Sequence, residues 1–115
     1  MIQRFDAGPR MSEASVYNGV AWLAGQVPED GDADIATQTR QVLDAIDALL
    51  AEVGSDRTRI LHAQIYLADI ADFDGMNAVW DSWVVPGQAP SRATVEARLA
   101  DPAWKLEIVV TAAVG

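Results

Sequence analysis

The spacing of hydrophobic residues along this chain changes period several times, and each change marks an element. Residues 14–17 and 20–24 read as two strands around Asn18-Gly19, a pair that accepts the positive φ of a two-residue turn. An earlier strand is expected near residues 2–5. Ile35, Val42, Ile46, Leu49 and Val53 recur at seven and then three or four, which predicts a helix over residues 32–53. Asp32 or Asp34 can cap its first turn, and Gly54 suits its left-handed end. Residues 59–68 alternate, with Leu61, Ala63, Ile65 and Leu67 opposed to Ile60, His62, Gln64 and Tyr66. From about Asp72 the stripe Phe73, Met76, Trp80 and Trp83 predicts a second helix. Two alternating stretches follow: residues 92–99, with Ala93, Val95, Ala97 and Leu99 on one face, and residues 105–113, with Leu106, Ile108, Val110 and Ala112 on one face.

The order is βββ-α-β-α-ββ in one α+β domain spanning 1–115, with two amphipathic helices covering one face of the sheet. Short loops are expected at 27–31, 54–56, 86–90 and 100–102, and Pro90 and Pro102 precede strands, where a missing N–H does least harm. The other sheet face carries Val109, Ile60 and Tyr66 beside polar groups. A partner subunit is its natural cover.

Composition narrows the chemistry. The 115 residues contain no cysteine, which excludes a disulfide framework, a Cys zinc site and a thiol nucleophile. Seventeen acids against eight basic residues give a net charge of −9, a poor match for nucleic acid or anionic membranes. Residues 1–6 lack the apolar stretch of a secretory signal, so a cytoplasmic location is expected. No phosphate loop, dinucleotide fingerprint, serine elbow or paired-histidine motif appears. Trp80 and Trp83 follow helical spacing and read as core, whereas Trp22 and Trp104 lie outside helices and suit an interface.

Arg92 and Glu107 are the pair that alternation singles out, each on the polar face of its strand. If the last two strands pair as a hairpin, Arg92, Thr94 and Glu107 project from one side. A guanidinium there offers parallel donors to a carboxylate ligand, and a nearby carboxylate can orient or deprotonate water. A structural ion pair across neighbouring strands is the plainer alternative. The only histidine, His62, reads as decoration of a half-exposed strand. Asp69, Asp72 and Asp74 lack calcium-loop spacing and read as helix caps.

Four segments, in order from about residue 10 onward, resemble the YjgF/RidA, or reactive intermediate deaminase, family. Ala24-Gly25-Gln26-Val27-Pro28 is similar to that family's Ser-Gly-Gln-Ile-Pro turn, and residues 68–77 to its strand-to-helix segment ending in DF…N. Residues 90–96 resemble its P.R..V signature, and Lys105-Leu106-Glu107-Ile108 its final VEI strand. The resemblance implies a chorismate-mutase-like fold with a mixed sheet, assembled as a homotrimer around a central barrel with three intersubunit clefts. It implies hydrolysis of reactive enamines and imines to 2-oxo acids and ammonia, with no metal or organic cofactor. By the same resemblance Arg92 holds the substrate carboxylate, Glu107 positions the attacking water, Asn77 lies near the cleft and Gly25 gives a backbone contact.

The chain departs from the family at three cleft positions. Thr94 stands where deaminases usually carry cysteine, Ala24 replaces the serine of the Gly-Gln turn, and Met11 falls at the position of a substrate-facing tyrosine. Thr94 and Met11 are therefore counted with Gly25 and Asn77 as substrate-contacting positions. The alternative reading is a non-catalytic trimeric binder of small carboxylates using the same cleft. Some family members are described as ribonucleases or translation inhibitors, which a net charge of −9 disfavours.

Overall fold

A computed structural model describes residues 1–115. Six strands, β1 (Gln3–Phe5), β2 (Ala14–Tyr17), β3 (Val20–Leu23), β4 (Ile60–Leu67), β5 (Ser91–Glu96) and β6 (Leu106–Ala113), form one mixed sheet in the order β1-β2-β3-β6-β4-β5. Two helices, α1 (Ile35–Glu52) and α2 (Phe73–Trp83), cover one of its faces. The β2–β3 hairpin turns at Asn18 (φ 51°) and Gly19 (φ 76°), both left-handed as the pair predicts.

Helix α1 starts later than the spacing suggests. Asp34 is the cap, its Oδ1 accepting the Thr37 N–H at 2.8 Å, and this bond holds the Asp34 carboxyl below its ordinary pKa. Asp32 instead donates its backbone N–H to Asp30 Oδ1 within the preceding turn. Gly54 (φ 84°) ends the helix. Val42, Ile46, Leu49 and Val53 are buried, as are Met76, Val79, Trp80 and Trp83 of α2. They meet Ala63, Ile65, Leu67, Leu106, Ile108, Val110 and Ala112 from the sheet. Of the three acids before and within α2, only Asp69 makes a side-chain cap, accepting from Ala71 N–H at 2.9 Å.

The last two strands do not form a hairpin. β6 inserts between β3 and β4, antiparallel to both, and β5 pairs parallel with the far side of β4. The physical reason lies in the connection: β4, α2 and β5 make a β-α-β unit, whose two strands are neighbours, and β6 fills the gap between β3 and β4 left by the α1 crossover. β5 is therefore an edge strand and ends at Glu96 rather than Leu99. A bulge between Ile60 and His62 corrects the β4 reading as well: Ile60 joins Ala63, Ile65 and Leu67 in the core, and Leu61 is exposed.

Two loops are tied to α1 by a buried amide. Gln38 donates through Nε2 to the carbonyls of Asp30, Ala33 and Ala103, at 3.1–3.3 Å, and its Oε1 accepts the Lys105 N–H at 2.8 Å. A Cβ on Gly31 would stand 2.6 Å from the Ala103 Cβ, so glycine is needed where these loops meet. At the other end of the helix pair, Asp47 accepts from Arg57 and from the Trp83 indole N–H at 3.0 Å, joining α1 to the end of α2. No helix is long and apolar enough to cross a membrane.

Replacing Gln38 by Ala strips four backbone groups of their partner. A loss of about 1–3 kcal/mol in unfolding free energy is expected by urea denaturation. A change below about 0.5 kcal/mol, the scale of ordinary surface substitutions, would show that the amide does not hold the loops.

Candidate functional site

Strand alternation places each candidate on a definite face. Arg92 and Thr94 are level with Ala63 and Ile65 of β4, and those residues oppose Val110 and Ile108 of β6; all lie toward the helices. Glu107 is level with Tyr66, and Tyr66 with Val95, on the face without helices. Arg92 and Glu107 thus occupy opposite faces of one chain, two strands apart. The shared side that a β5–β6 hairpin would give does not exist, and the polar row of β5, not its Ala93 and Val95, faces the helix layer. The two groups do not pair with each other: the salt bridge of the chain joins Arg57 and Asp47.

The structure brings Arg92 to α2 instead. Its Nη1 donates to Asn77 Oδ1 at 2.7 Å, so two of the residues singled out by resemblance are bonded to one another. The guanidinium carbon lies 5.3 Å from the centre of the Trp80 ring and 5.8 Å from that of Phe73. Positions 73, 77 and 80 share one helix face at spacings of four and three, so a single surface of α2 presents ring, amide and ring. Each cation–π contact at a part-exposed site is worth about 0.5–1 kcal/mol, enough to orient the side chain. The Asn77 bond is the one hydrogen bond Arg92 makes within the chain, while a guanidinium carries five N–H donors. Two residues on, the buried Thr94 Oγ1 has no partner at all. The free donors of the guanidinium, at the outer edge of the sheet, are suited to hold an anion.

Glu107 belongs to a second cluster. A Cβ on Gly25 would overlap Glu107 Oε2 and stand 2.8 Å from its Cδ, so the carboxylate lies directly over the Gly25 backbone. Gln26 fixes that segment by exchanging backbone hydrogen bonds with Ile108 at 2.9 and 3.1 Å. Glu107 also lines a hollow of about 290 Å³ with Tyr66, Val109, Ala97, Arg98, Leu99 and Ala100. Met11 sits exposed in the β1–β2 loop, and that loop reaches the Gly25 region through Glu13, whose carbonyl accepts the Ala24 N–H at 2.8 Å. The predicted residues therefore divide into two half-sites: Arg92, Thr94 and Asn77 in one, Glu107 and Gly25 in the other.

Sequence reasoning missed two participants. Trp80 is buried as the core stripe predicts, but Phe73 of the same stripe is exposed, and its spacing from Asn77 puts it on the face that meets Arg92. Arg98, exposed beside the Glu107 hollow, had no signal beyond its charge. Trp22 is exposed on the open face, and His62 Nδ1 lies 3.0 Å from Ser91 Oγ, whose hydroxyl donates to the Leu61 carbonyl. No group of three or more His, Cys, Asp or Glu side chains is placed to hold a metal ion.

Comparison with known proteins adds four findings. A family model described as Endoribonuclease L-PSP matches residues 1–114. The chain is 54% identical over 114 residues to a RutC family protein of Haemophilus ducreyi, covering 99% of this chain and 97% of that one. It is 48% identical over 113 residues to the RutC family protein YoaB of Escherichia coli, covering 98% of each. The crystal structure of a member of the YjgF protein family from Neisseria meningitidis matches with a TM-score of 0.96 at 50% identity, covering 100% of this chain and 96% of that chain.

Substituting Gly25 by Ala should leave the fold intact, because the atoms in the way are the free end of a flexible side chain. A crystal structure of the variant is expected to show the Glu107 carboxylate displaced, with the circular dichroism spectrum unchanged. A carboxylate in its original place would mean that Gly25 is not what makes room for it.

Proposed function

The chain belongs to the YjgF/RutC family matched by the L-PSP model, and on that footing we propose that it hydrolyses reactive enamines and imines to 2-oxo acids and ammonia in clefts between copies of itself. The observation that carries this reading is the Arg92 guanidinium: half-exposed at the free edge of the sheet, oriented by Asn77 and two rings, and left with most of its donors. Such a group binds a carboxylate through two parallel N–H bonds.

A partner follows from the faces. Arg92 and Glu107 cannot reach one ligand from opposite sides of one sheet, but an edge strand of one copy can meet the open face of another. That open face exposes Tyr17, Trp22 and Val95, apolar surface that a neighbouring copy would cover. A homotrimer closing through such heterologous contacts gives three equivalent clefts. In each, one copy supplies Arg92, Thr94 and Asn77, and the next supplies Glu107, Gly25 and Met11.

The chemistry then needs no nucleophile from the protein. An enamine first takes a proton at carbon to become the imine. Arg92 holds the carboxylate of the 2-imino acid, and the Glu107 carboxylate takes a proton from water as the water oxygen bonds to the imine carbon. The proton taken by Glu107 passes to nitrogen, giving a carbinolamine; its hydroxyl then gives up its proton to nitrogen as the C–N bond breaks, so ammonia leaves and the C=O of the 2-oxo acid forms. Positioning and charge stabilisation suffice because the reaction already proceeds in water. A net charge of −9 with dispersed arginines disfavours a polyphosphate substrate such as RNA.

The test supplies imines from an amino-acid oxidase and follows 2-oxo acid release above the buffer rate. Acceleration by the protein is expected, with Arg92→Ala lowering kcat/KM about 10- to 100-fold and Glu107→Gln about 100-fold or more. Binding of 2-oxo acids without acceleration would instead make the protein a carboxylate binder, the reading that Thr94 in place of cysteine favours. If Arg92→Ala changes neither binding nor rate, the site lies elsewhere.

A further inference from the structure

The connection from β5 to β6 carries an arginine that neither half-site has used. β5 ends at Glu96, and Ala97 donates its N–H to the Leu67 carbonyl at 2.9 Å. Continued alternation would put Arg98 on the side of Arg92 and Thr94. Instead Arg98 lines the hollow of about 290 Å³ on the open face, together with Glu107, Tyr66 and Val109. Residues 97–100 are also one wall of a hollow of about 700 Å³ bounded by Trp104 and Asp101. The connection is braced from within the chain. Gln38 holds the Ala103 carbonyl and the Lys105 N–H, and Asp101 Oδ1 accepts from Ala103 N–H at 2.8 Å. Arg98 itself is exposed and has no acid within ion-pair reach, the chain's salt bridge being that of Arg57 with Asp47. A guanidinium with free donors therefore shares its hollow with the Glu107 carboxylate.

We infer that Arg98 is a second anion-binding residue of the cleft, supplied by the copy that supplies Glu107, and that it holds the ligand's carboxylate from the Glu107 side. The inference rests on the reading above, in which Arg92 of a neighbouring copy anchors that carboxylate. An anionic ligand brought up to Glu107 meets a like charge, in a chain whose net charge is already −9. A cation in the same hollow offsets that repulsion where it is strongest. The ligand can accept from both guanidiniums, because its two oxygens offer about four acceptor sites and Arg92 fills about two of them through parallel N–H bonds. Arg98 thereby makes the cleft discriminate by charge. It favours a carboxylate over a neutral group of the same shape.

Calorimetric titration of the intact protein with pyruvate, and with its neutral analogue pyruvamide, reads this role without requiring turnover. Arg98→Ala, at an exposed position that does not threaten folding, should weaken pyruvate about 3- to 10-fold and leave pyruvamide unchanged. Reassembled mixtures assign the copy. Arg92→Ala mixed with Arg98→Ala should regain wild-type pyruvate affinity in about one quarter of the sites, because each intact site takes one arginine from each of two copies. The inference is overturned if Arg98→Ala leaves pyruvate affinity unchanged, if it weakens pyruvamide equally, if the mixture regains no tight sites, or if the wild-type protein binds no pyruvate. Failure of the anchoring premise has a different signature: Arg92→Ala would then leave pyruvate affinity where it was.

Discussion

A side chain on a β-strand belongs to one face of its sheet, and nothing short of a bulge moves it to the other. That constraint governs the candidate site. Register through β4 puts Arg92 on the helix side and Glu107 on the open side, and no rotamer carries either across the sheet. A lone chain therefore holds the candidate residues as two clusters on opposite faces. Because β5 is the last strand, its guanidinium stands at a boundary where a second copy can bring the opposite face into reach. The edge position, which in most sheets is a hazard to be blunted, here makes Arg92 available.

Helix α2 converts availability into orientation. Met76 and Trp83 anchor it in the core, and Asp47 of α1 ties its end through the Trp83 indole and through Arg57, whose Nη1 also bonds the Trp83 carbonyl at 3.0 Å. With the helix fixed at that end, Phe73, Asn77 and Trp80 present a rigid surface to the guanidinium. The Asp47–Arg57 pair is part-exposed and of modest value by itself. Its use is geometric, since it shares one carboxylate between two helices and the segment leading into β4.

Much of the fold was legible in the sequence because periodicity and turn chemistry are local. The 3.6-residue stripe of α1, the Asn18-Gly19 turn and the Gly54 terminator all appear as the residues dictate. Strand order was not legible, since alternation identifies two faces without saying which one is buried or which strand lies next door. In β5 the small apolar residues Ala93 and Val95 suggested a core face, yet the row containing Arg92 and Thr94 meets the helices, because α2 offers an amide and rings at that point rather than aliphatic packing. The Leu61 bulge reversed the first turn of β4 for a similar reason: one inserted residue is invisible to a period-two reading. Asn77 is reached by resemblance alone, and its bond to Arg92 and the companion rings emerge only from the structure.

The central claim is that the catalytic groups come from different copies, and complementation tests it most directly. Arg92→Ala and Glu107→Gln proteins, each strongly impaired alone, are unfolded together and reassembled as mixed oligomers. Half the copies then bring an intact Arg92 and half an intact Glu107, so about one quarter of the interfaces should regain both groups and imine hydrolysis should return to about that fraction of wild type. Mixed oligomers that form and stay inactive would place both groups in one chain's site and contradict the account.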